Sequence, residues 1–368
     1  MNILYVINSV EGGGAALPVP AIVAALEKAG AAVTVLALTR RNGKALPALE
    51  RAGVRTIVRE GGEKDHGAAL KWLGQQIAAH RPDLLWTSLT RATLLGQWAG
   101  QRAGVPVVSW QHNAFLKPSN RWLLRARRNA AILWVADSAA VARLTEQRLG
   151  LAPERVITWP IFAADPTAPL ARPWSPGETL ELGSLGRLHP NKGYDLLLAA
   201  LARLAADGFV APVPFWVRIA GEGSEEAVLR AQMAELNPPN VAFCGYVGDS
   251  RDFLAGLHAY LQPSRREGFC IAAHEAMQAA LPVLGTRTGE MPFSIEEGVS
   301  GWLADPGDVA SLAAGLRRLL SNPNDLAVMG AAARETVLTR FSQQKFDATA
   351  AEILARVQTA ATLSSPRL

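Results

Sequence analysis

The chain has 368 residues, enough for two domains with cores of their own, and 49% hydrophobic with 19% charged residues excludes a disordered or fibrous chain. A net charge of +5 favours anionic partners without choosing among nucleic acid, sugar phosphates and acidic lipid. Two cysteines, Cys244 and Cys270, are too few for a disulfide framework and lack metal-ligand spacing, which fits a reducing cytosol.

Met1-Asn-Ile-Leu-Tyr-Val-Ile-Asn8 has no basic leader, and its apolar run ends too soon for a signal peptide, so it reads as a first buried strand. Further apolar runs at 32–38, 54–58, 84–87, 105–110 and 132–136 read as strands, with helical periodicity at 21–29 and 67–79 between them. The best membrane-span candidate, 130–142, is cut by Asp137. At 163–177 the pattern breaks, and Pro166, Pro169, Pro173 and Pro176 mark a linker. Alternation then restarts, with strands at 180–185, 215–220, 241–243, 259–261 and 283–286. Two doubly wound α/β domains, 1–165 and 178–341, fit this better than one large sheet.

Three stretches carry chemistry. Glu11-Gly-Gly-Gly-Ala15 follows the first strand, where backbone amides can approach an anion or sugar without Cβ obstruction. It is not the dinucleotide fingerprint, because Leu17 stands where the third glycine is needed. Arg40 and Arg41 replace the acid of an NAD enzyme, although arginine there would suit NADP. In the second half, Gly183-Ser-Leu-Gly-Arg187-Leu-His-Pro-Asn-Lys192-Gly-Tyr-Asp195 puts two cations after a strand, flanked by Gly186 and Gly193. That suits a diphosphate: guanidinium forks onto two oxygens, and ammonium acts as a mobile point charge. Finally, Glu267-Gly-Phe-Cys-Ile-Ala-Ala-His-Glu275 holds two carboxylates eight positions apart, one in a turn and one inside a helix from about Ile271. The amides at that helix start make an anion site. The plain alternatives are a tight turn, surface charges, and a loop acid followed by a dipole-favoured helix acid.

The last stretch resembles the E-x7-E motif of retaining glycosyltransferases of family 4, which use nucleotide-activated sugars. Gly186-Arg187 with Lys192-Gly193 is similar to that family's G-R-x-x-x-x-K-G, and Ile219-Ala-Gly-Glu-Gly223 and Val241-Ala-Phe-Cys-Gly-Tyr-Val247 repeat its next landmarks. The resemblance spans nearly the whole chain and is strongest from 183 to 303. It implies a GT-B fold, two Rossmann-like domains facing across a cleft, with a C-terminal helix near 342–357 crossing back to complete the first. The acceptor would lie mainly on the first domain and the nucleotide sugar on the second.

The same resemblance implies the roles. Gly13, Gly14, Gly186, Tyr246, Val247, Gly268, Phe269, Cys270 and Ile271 would contact the donor, and Glu275 its ribose. Arg187 and Lys192 would neutralise the departing diphosphate, Glu267 would hold the transferred sugar, and His112, at the carboxyl edge of the first sheet, would steady the sugar in the transition state. Asp137 would lie near the acceptor. No cofactor or metal is implied beyond a UDP- or GDP-linked co-substrate, and no protein nucleophile: attack is on the leaving group's own face. Departures are Cys270 at a usual glycine, the polar Ala272-Ala-His274 run, Glu290 at another usual glycine, and Phe293 at a usual acid.

Arg121-Trp122-Leu-Leu-Arg125-Ala-Arg-Arg128 is a short basic amphipathic stretch, which suits anionic lipid headgroups or simply a solvated helix face. With the cytosolic character, it leans toward a lipid-linked saccharide or lipopolysaccharide acceptor and a cytoplasmic protein peripheral on the inner face of the membrane. Rival expectations are a GT-B-like epimerase or hydrolase and a non-catalytic nucleotide or nucleic-acid binder. The arginines lack the repeated aromatic interleaving of single-strand binders, which argues against nucleic acid.

Overall fold

The computed structural model describes residues 1–113 and 116–364, which divide into two compact units. The first comprises Met1–Ala163 with the chain from Gln343 onward, and the second Ala164–Ser342. In the first lie β1 (Asn2–Ile7), α1 (Val19–Lys28), β2 (Ala32–Ala37), α2 (Leu46–Arg51), β3 (Thr56–Val58), α3 (His66–His80), β4 (Leu84–Ser88), α4 (Thr90–Ala103), β5 (Val107–Gln111), α5 (Pro118–Ala126), β6 (Leu133–Ala136), α6 (Ala139–Leu149) and β7 (Val156–Thr158).

The second unit holds β8 (Leu180–Leu185), α7 (Tyr194–Ala206), β9 (Phe215–Ala220), α8 (Glu226–Leu236), β10 (Val241–Gly245), α9 (Ser250–Ala255), β11 (Ala259–Gln262), α10 (Ile271–Gln278), β12 (Val283–Thr286), α11 (Met291–Ser294), β13 (Gly301–Ala304), α12 (Val309–Ser321) and α13 (Leu326–Arg340). The chain then returns to the first unit as α14 (Gln343–Ser364), fixed by a Lys28 to Asp347 ion pair of 2.7 Å and by Phe346 against Trp159.

Both sheets are parallel, ordered β3-β2-β1-β4-β5-β6-β7 and β10-β9-β8-β11-β12-β13. Helices therefore cover both faces of each, and the strands are largely apolar rather than alternating. In β1, Leu4 and Val6 face Leu73, Ile77 and Leu95 of α3 and α4, while Tyr5 faces the opposite layer. That second layer is aromatic: Trp86, Trp110 and Trp159 are fully buried, with Trp110 stacked on Trp159 at 4.9 Å between ring centres. Each such ring contributes about 3 kcal/mol by leaving water. In the second unit Leu182, Ile219, Leu261 and Leu284 meet Leu197, Leu201, Leu316 and Leu319.

Two strands went unread in the sequence. β7 has three residues and β13 four, and turn residues interrupt their apolar runs: Pro160 stands two positions past β7 and Gly301 opens β13. The proline-rich stretch expected as a linker belongs to the second unit: Ala164 N donates to Phe341 O at 2.7 Å and Ala171 N to Ala279 O at 2.8 Å. Proline fixed its irregular path without making it free. No helix among the described residues is long and apolar enough to cross a membrane.

Strand order reverses between β1 and β4 in one sheet and between β8 and β11 in the other. Ligands of open α/β sheets bind outside the carboxyl ends of the strands at such points.

Candidate active site

At the second switch point the sheet opens. β8 and β11 pair only at Leu182 with Ala259 and Gly183 with Tyr260, then part. The Tyr260 side chain takes over the ladder: Leu185 N donates to its hydroxyl at 3.0 Å, and the hydroxyl donates to Leu185 O at 3.0 Å. Burial pushes this phenol well above its ordinary pKa, so it stays a donor. The chain leaving β8 reaches Arg187, which is exposed, and then a 3-10 turn at Pro190–Lys192. Gly193 closes that turn at φ +69°, and a Cβ there would sit 2.1 Å from Pro263 O, so only glycine lets this loop meet the one after β11.

A second tie holds the loops together. Arg265 grips Asp195 bidentately, at 2.6 and 2.5 Å, and its own N–H donates to Asn191 O at 2.8 Å. Lys192 is thereby brought to Glu267, with Nζ donating to Oε1 at 2.8 Å. The same oxygen accepts from Ser264 Oγ at 2.6 Å and Gln262 Nε2 at 3.3 Å. Three donors converge on Oε1. Burial alone would pull the Lys192 pKa down, but the Glu267 carboxylate, with Cys270 and Tyr194 nearby, outweighs it and holds the ammonium above its ordinary value.

Glu267 N also donates to Thr288 Oγ1 at 3.1 Å, and Gly289, at φ +61°, lies so close that a Cβ would reach Gly268 O at 2.4 Å. The loop continues through buried Gly268 and Phe269 to Cys270, whose φ of +71° and ψ of 64° explain why glycine is usual there. α10 begins at Ile271, and its first-turn amides face the loop without partners inside the helix. Phe269 turns its ring inward, onto His274 at 4.1 Å and against Phe341.

His274 is structural. Its Nδ1 donates to Cys270 O at 2.9 Å and its Nε2 accepts from Ser294 Oγ at 2.8 Å, an oxygen that also receives Arg340. Burial drops its pKa to about 4, so the ring is neutral and braces the strained cap of α10. Arg340 also donates to Glu290 at 2.6 Å, which is where the acid at a usual glycine goes. Glu275, one turn into α10, is raised to about 7 by burial, against the opposing pull of Ser250 and Arg251. Past β10, Tyr246 is half exposed and Val247 partly buried.

In the first unit the glycine loop is pinned at the sheet edge: Gly12 N donates to Asn42 Oδ1 at 3.2 Å, and Arg41 pairs with Glu11 at 2.7 Å. Gly13 is partly buried and Gly14 exposed. Three neighbouring strands then deliver Ser88, His112 and Asp137. His112 Nε2 lies 2.6 Å from Ser88 Oγ, and Nδ1 lies 2.9 Å from Asp137 Oδ1. Asp137 was expected beside the acceptor. It follows β6, is 3% exposed, and is engaged by His112 and by Trp110 Nε1 at 2.6 Å.

On α5, Arg121, Trp122 and Arg125 are exposed, Trp122 at 70%, while Leu124 anchors the helix. Arg128 lies past its end and donates to Arg125 O at 3.0 Å. Sequence reasoning did not assign Ser264, Gln262, Thr288, Ser88 or Trp110. The first stands three positions before Glu267, which was signal enough.

Residues 12–162 match the family described as Glycosyltransferase Family 4, and residues 172–336 match Glycosyl transferases group 1. The chain belongs to the group 1 and family 4 glycosyltransferases. Among relatives of this chain, the amylovoran biosynthesis glycosyltransferase AmsK of Erwinia amylovora is 32% identical over 49% of this chain and 46% of its own. The lipopolysaccharide core biosynthesis glycosyltransferase LpsE of Rhizobium meliloti is 25% identical over 46% of this chain and 48% of its own. The chain thus spans about half the length of these curated relatives. The structure of HepE from Anabaena in complex with UDP-glucose superposes with a TM-score of 0.81 at 23% identity, covering 96% of this chain and 99% of that one. The GT-B fold follows for this chain.

Proposed function

We propose that the chain transfers a glycosyl unit, with retention, from a UDP- or GDP-linked sugar to a glycan or lipid-linked acceptor in the synthesis of a cell-surface polysaccharide or lipopolysaccharide. The observation that carries this reading is the pairing of Lys192 with Glu267 at the β8–β11 switch point. A nucleotide diphosphate sugar presents phosphate oxygens and sugar hydroxyls side by side, and it needs a cation and a carboxylate side by side in return. Arg187, Lys192 and the first amides of α10 take the charge that grows on the leaving diphosphate. Glu267 Oε2 accepts from hydroxyls of the transferred sugar, and Glu275 from the ribose. The backbone near Tyr246 and Val247 meets the base.

In this reading the acceptor hydroxyl attacks the anomeric carbon on the face the diphosphate leaves. The new carbon–oxygen bond forms as the bond to the phosphate oxygen breaks, and that oxygen takes the acceptor's proton. The two cations supply the electrostatics, so no metal or cofactor is assigned. HepE was crystallised with UDP-glucose, and the two relatives are named for amylovoran and lipopolysaccharide core biosynthesis, which supports the donor and acceptor classes. The exposed Arg121, Trp122 and Arg125 of α5, with Arg128, suit an anionic membrane surface on the cytoplasmic side. Calorimetry with UDP, GDP and their sugars tests the reading: binding of one nucleotide diphosphate is expected, and no binding by any would end it.

A further inference from the structure

The first unit holds a buried proton-ordering chain that the reading above leaves without a task. Ser88 ends β4, His112 follows β5 and Asp137 follows β6, and these strands are adjacent in the sheet. Asp137 accepts from Trp110 Nε1 at 2.6 Å and from His112 Nδ1 at 2.9 and 3.1 Å, and among the described residues no Lys or Arg pairs with it. The start of α6, two residues on, steadies the carboxylate through the helix dipole. Trp110 also stacks under the imidazole at 5.3 Å, which fixes the ring plane.

Proton accounting then leaves one arrangement for the neutral ring. Indole N–H only donates and carboxylate only accepts, so the nitrogen facing Asp137 carries the proton. Nε2 is therefore an acceptor, and Ser88 Oγ donates to it at 2.6 Å. We propose that Asp137 is a positioning residue that holds His112 in the Nδ1–H form, so that Nε2 accepts a hydrogen bond from a sugar hydroxyl of the substrate, in competition with Ser88. This rests on the glycosyl-transfer reading. Replacing Asp137 by Asn, with the amide oxygen kept at the Oδ1 place by Trp110, puts the amide N–H₂ where Oδ2 stands 3.1 Å from Nδ1: a donor replaces one of the two acceptors there, and the ring proton is driven toward Nε2, which then donates where it should accept.

The test uses the full chain with its histidines labelled with nitrogen-15, the His112 signals being assigned by their loss in His112→Gln. Wild type should show Nδ1–H and Asp137→Asn should show Nε2–H. In the same variant kcat for sugar transfer should fall about tenfold or more while KM for the nucleotide sugar and UDP affinity stay within about twofold. In a His112→Gln background, Asp137→Asn should add less than about a further twofold loss, since it acts through that ring. A wild-type ring protonated at Nε2 overturns the proposal, and needs no variant to fold. So does an Asp137→Asn enzyme with switched tautomer and unchanged kcat. A wild type that transfers no sugar at all refutes the function and leaves the tautomer result standing.

Discussion

Glu275 is a group the fold holds at a cost. Its pKa rises from an ordinary 4.5 to about 7, first because of burial. Below pH 4.5 folded and unfolded chains both hold the proton and the cost vanishes. Between 4.5 and 7 the unfolded chain ionises first and folded stability falls, and above 7 the loss is complete. Glu275→Gln removes the charge and keeps the shape and the contact to Ser250. Relative to wild type the variant should gain about 3 kcal/mol at pH 8.5 and under about 1 kcal/mol at pH 5, the side chain's partial exposure making these ceilings. Urea unfolding of both proteins at the two pH values measures the difference. The same change should weaken UDP binding about tenfold or more, since a charged acceptor to the ribose is lost. A variant less stable than wild type at pH 8.5 would refute the burial argument, and unchanged UDP affinity would refute the ribose role.

The other predictions probe the crevice and the surface. Lys192→Ala should weaken UDP or GDP binding about 10- to 100-fold by calorimetry, because a charge-assisted contact to the diphosphate goes. Ser264→Ala removes the 2.6 Å donor that fixes Glu267, and should lower single-turnover transfer about tenfold with UDP affinity unchanged. Gly289→Ala forces a Cβ toward Gly268 O at positive φ, and should cost about 2 to 3 kcal/mol in denaturant unfolding as well as abolish transfer. Trp122→Ala combined with Arg121→Ala should reduce sedimentation with anionic vesicles while sparing UDP binding; equal sedimentation would remove α5 as a membrane contact.

Much of the second unit was legible because its chemistry is local in sequence. Arg187 and Lys192 share one loop, Glu267 and Glu275 one loop and helix, and their strands are apolar runs bounded by Gly and Pro. What brings the two loops together is not local: Arg265 reaches Asp195 across 70 positions, and Gly193 must yield to Pro263 O. The departure at Cys270 was visible as a residue change, but its meaning needed the left-handed backbone that makes glycine usual there. His274 looked like polarity intruding on an apolar run, and is a neutral strut between Cys270 and Ser294. The role of Asp137 depended on a neighbouring strand supplying Trp110 and His112, a pairing that parallel sheets impose and sequence order conceals. β13 escaped because Gly301 opens it and Asp305-Pro306-Gly307 follows at once, which reads as a turn.

The central claim is that the crevice between β8 and β11 grips the diphosphate of an activated sugar. A crystal soaked with UDP-glucose or a GDP sugar tests it most directly. The expected map has the diphosphate within hydrogen-bond reach of Arg187, Lys192 and the first amides of α10, with the ribose on Glu275 and a sugar hydroxyl on Glu267 Oε2. Nucleotide bound elsewhere on the chain, with Lys192 still closed on Glu267 and no ligand beside it, would contradict the account.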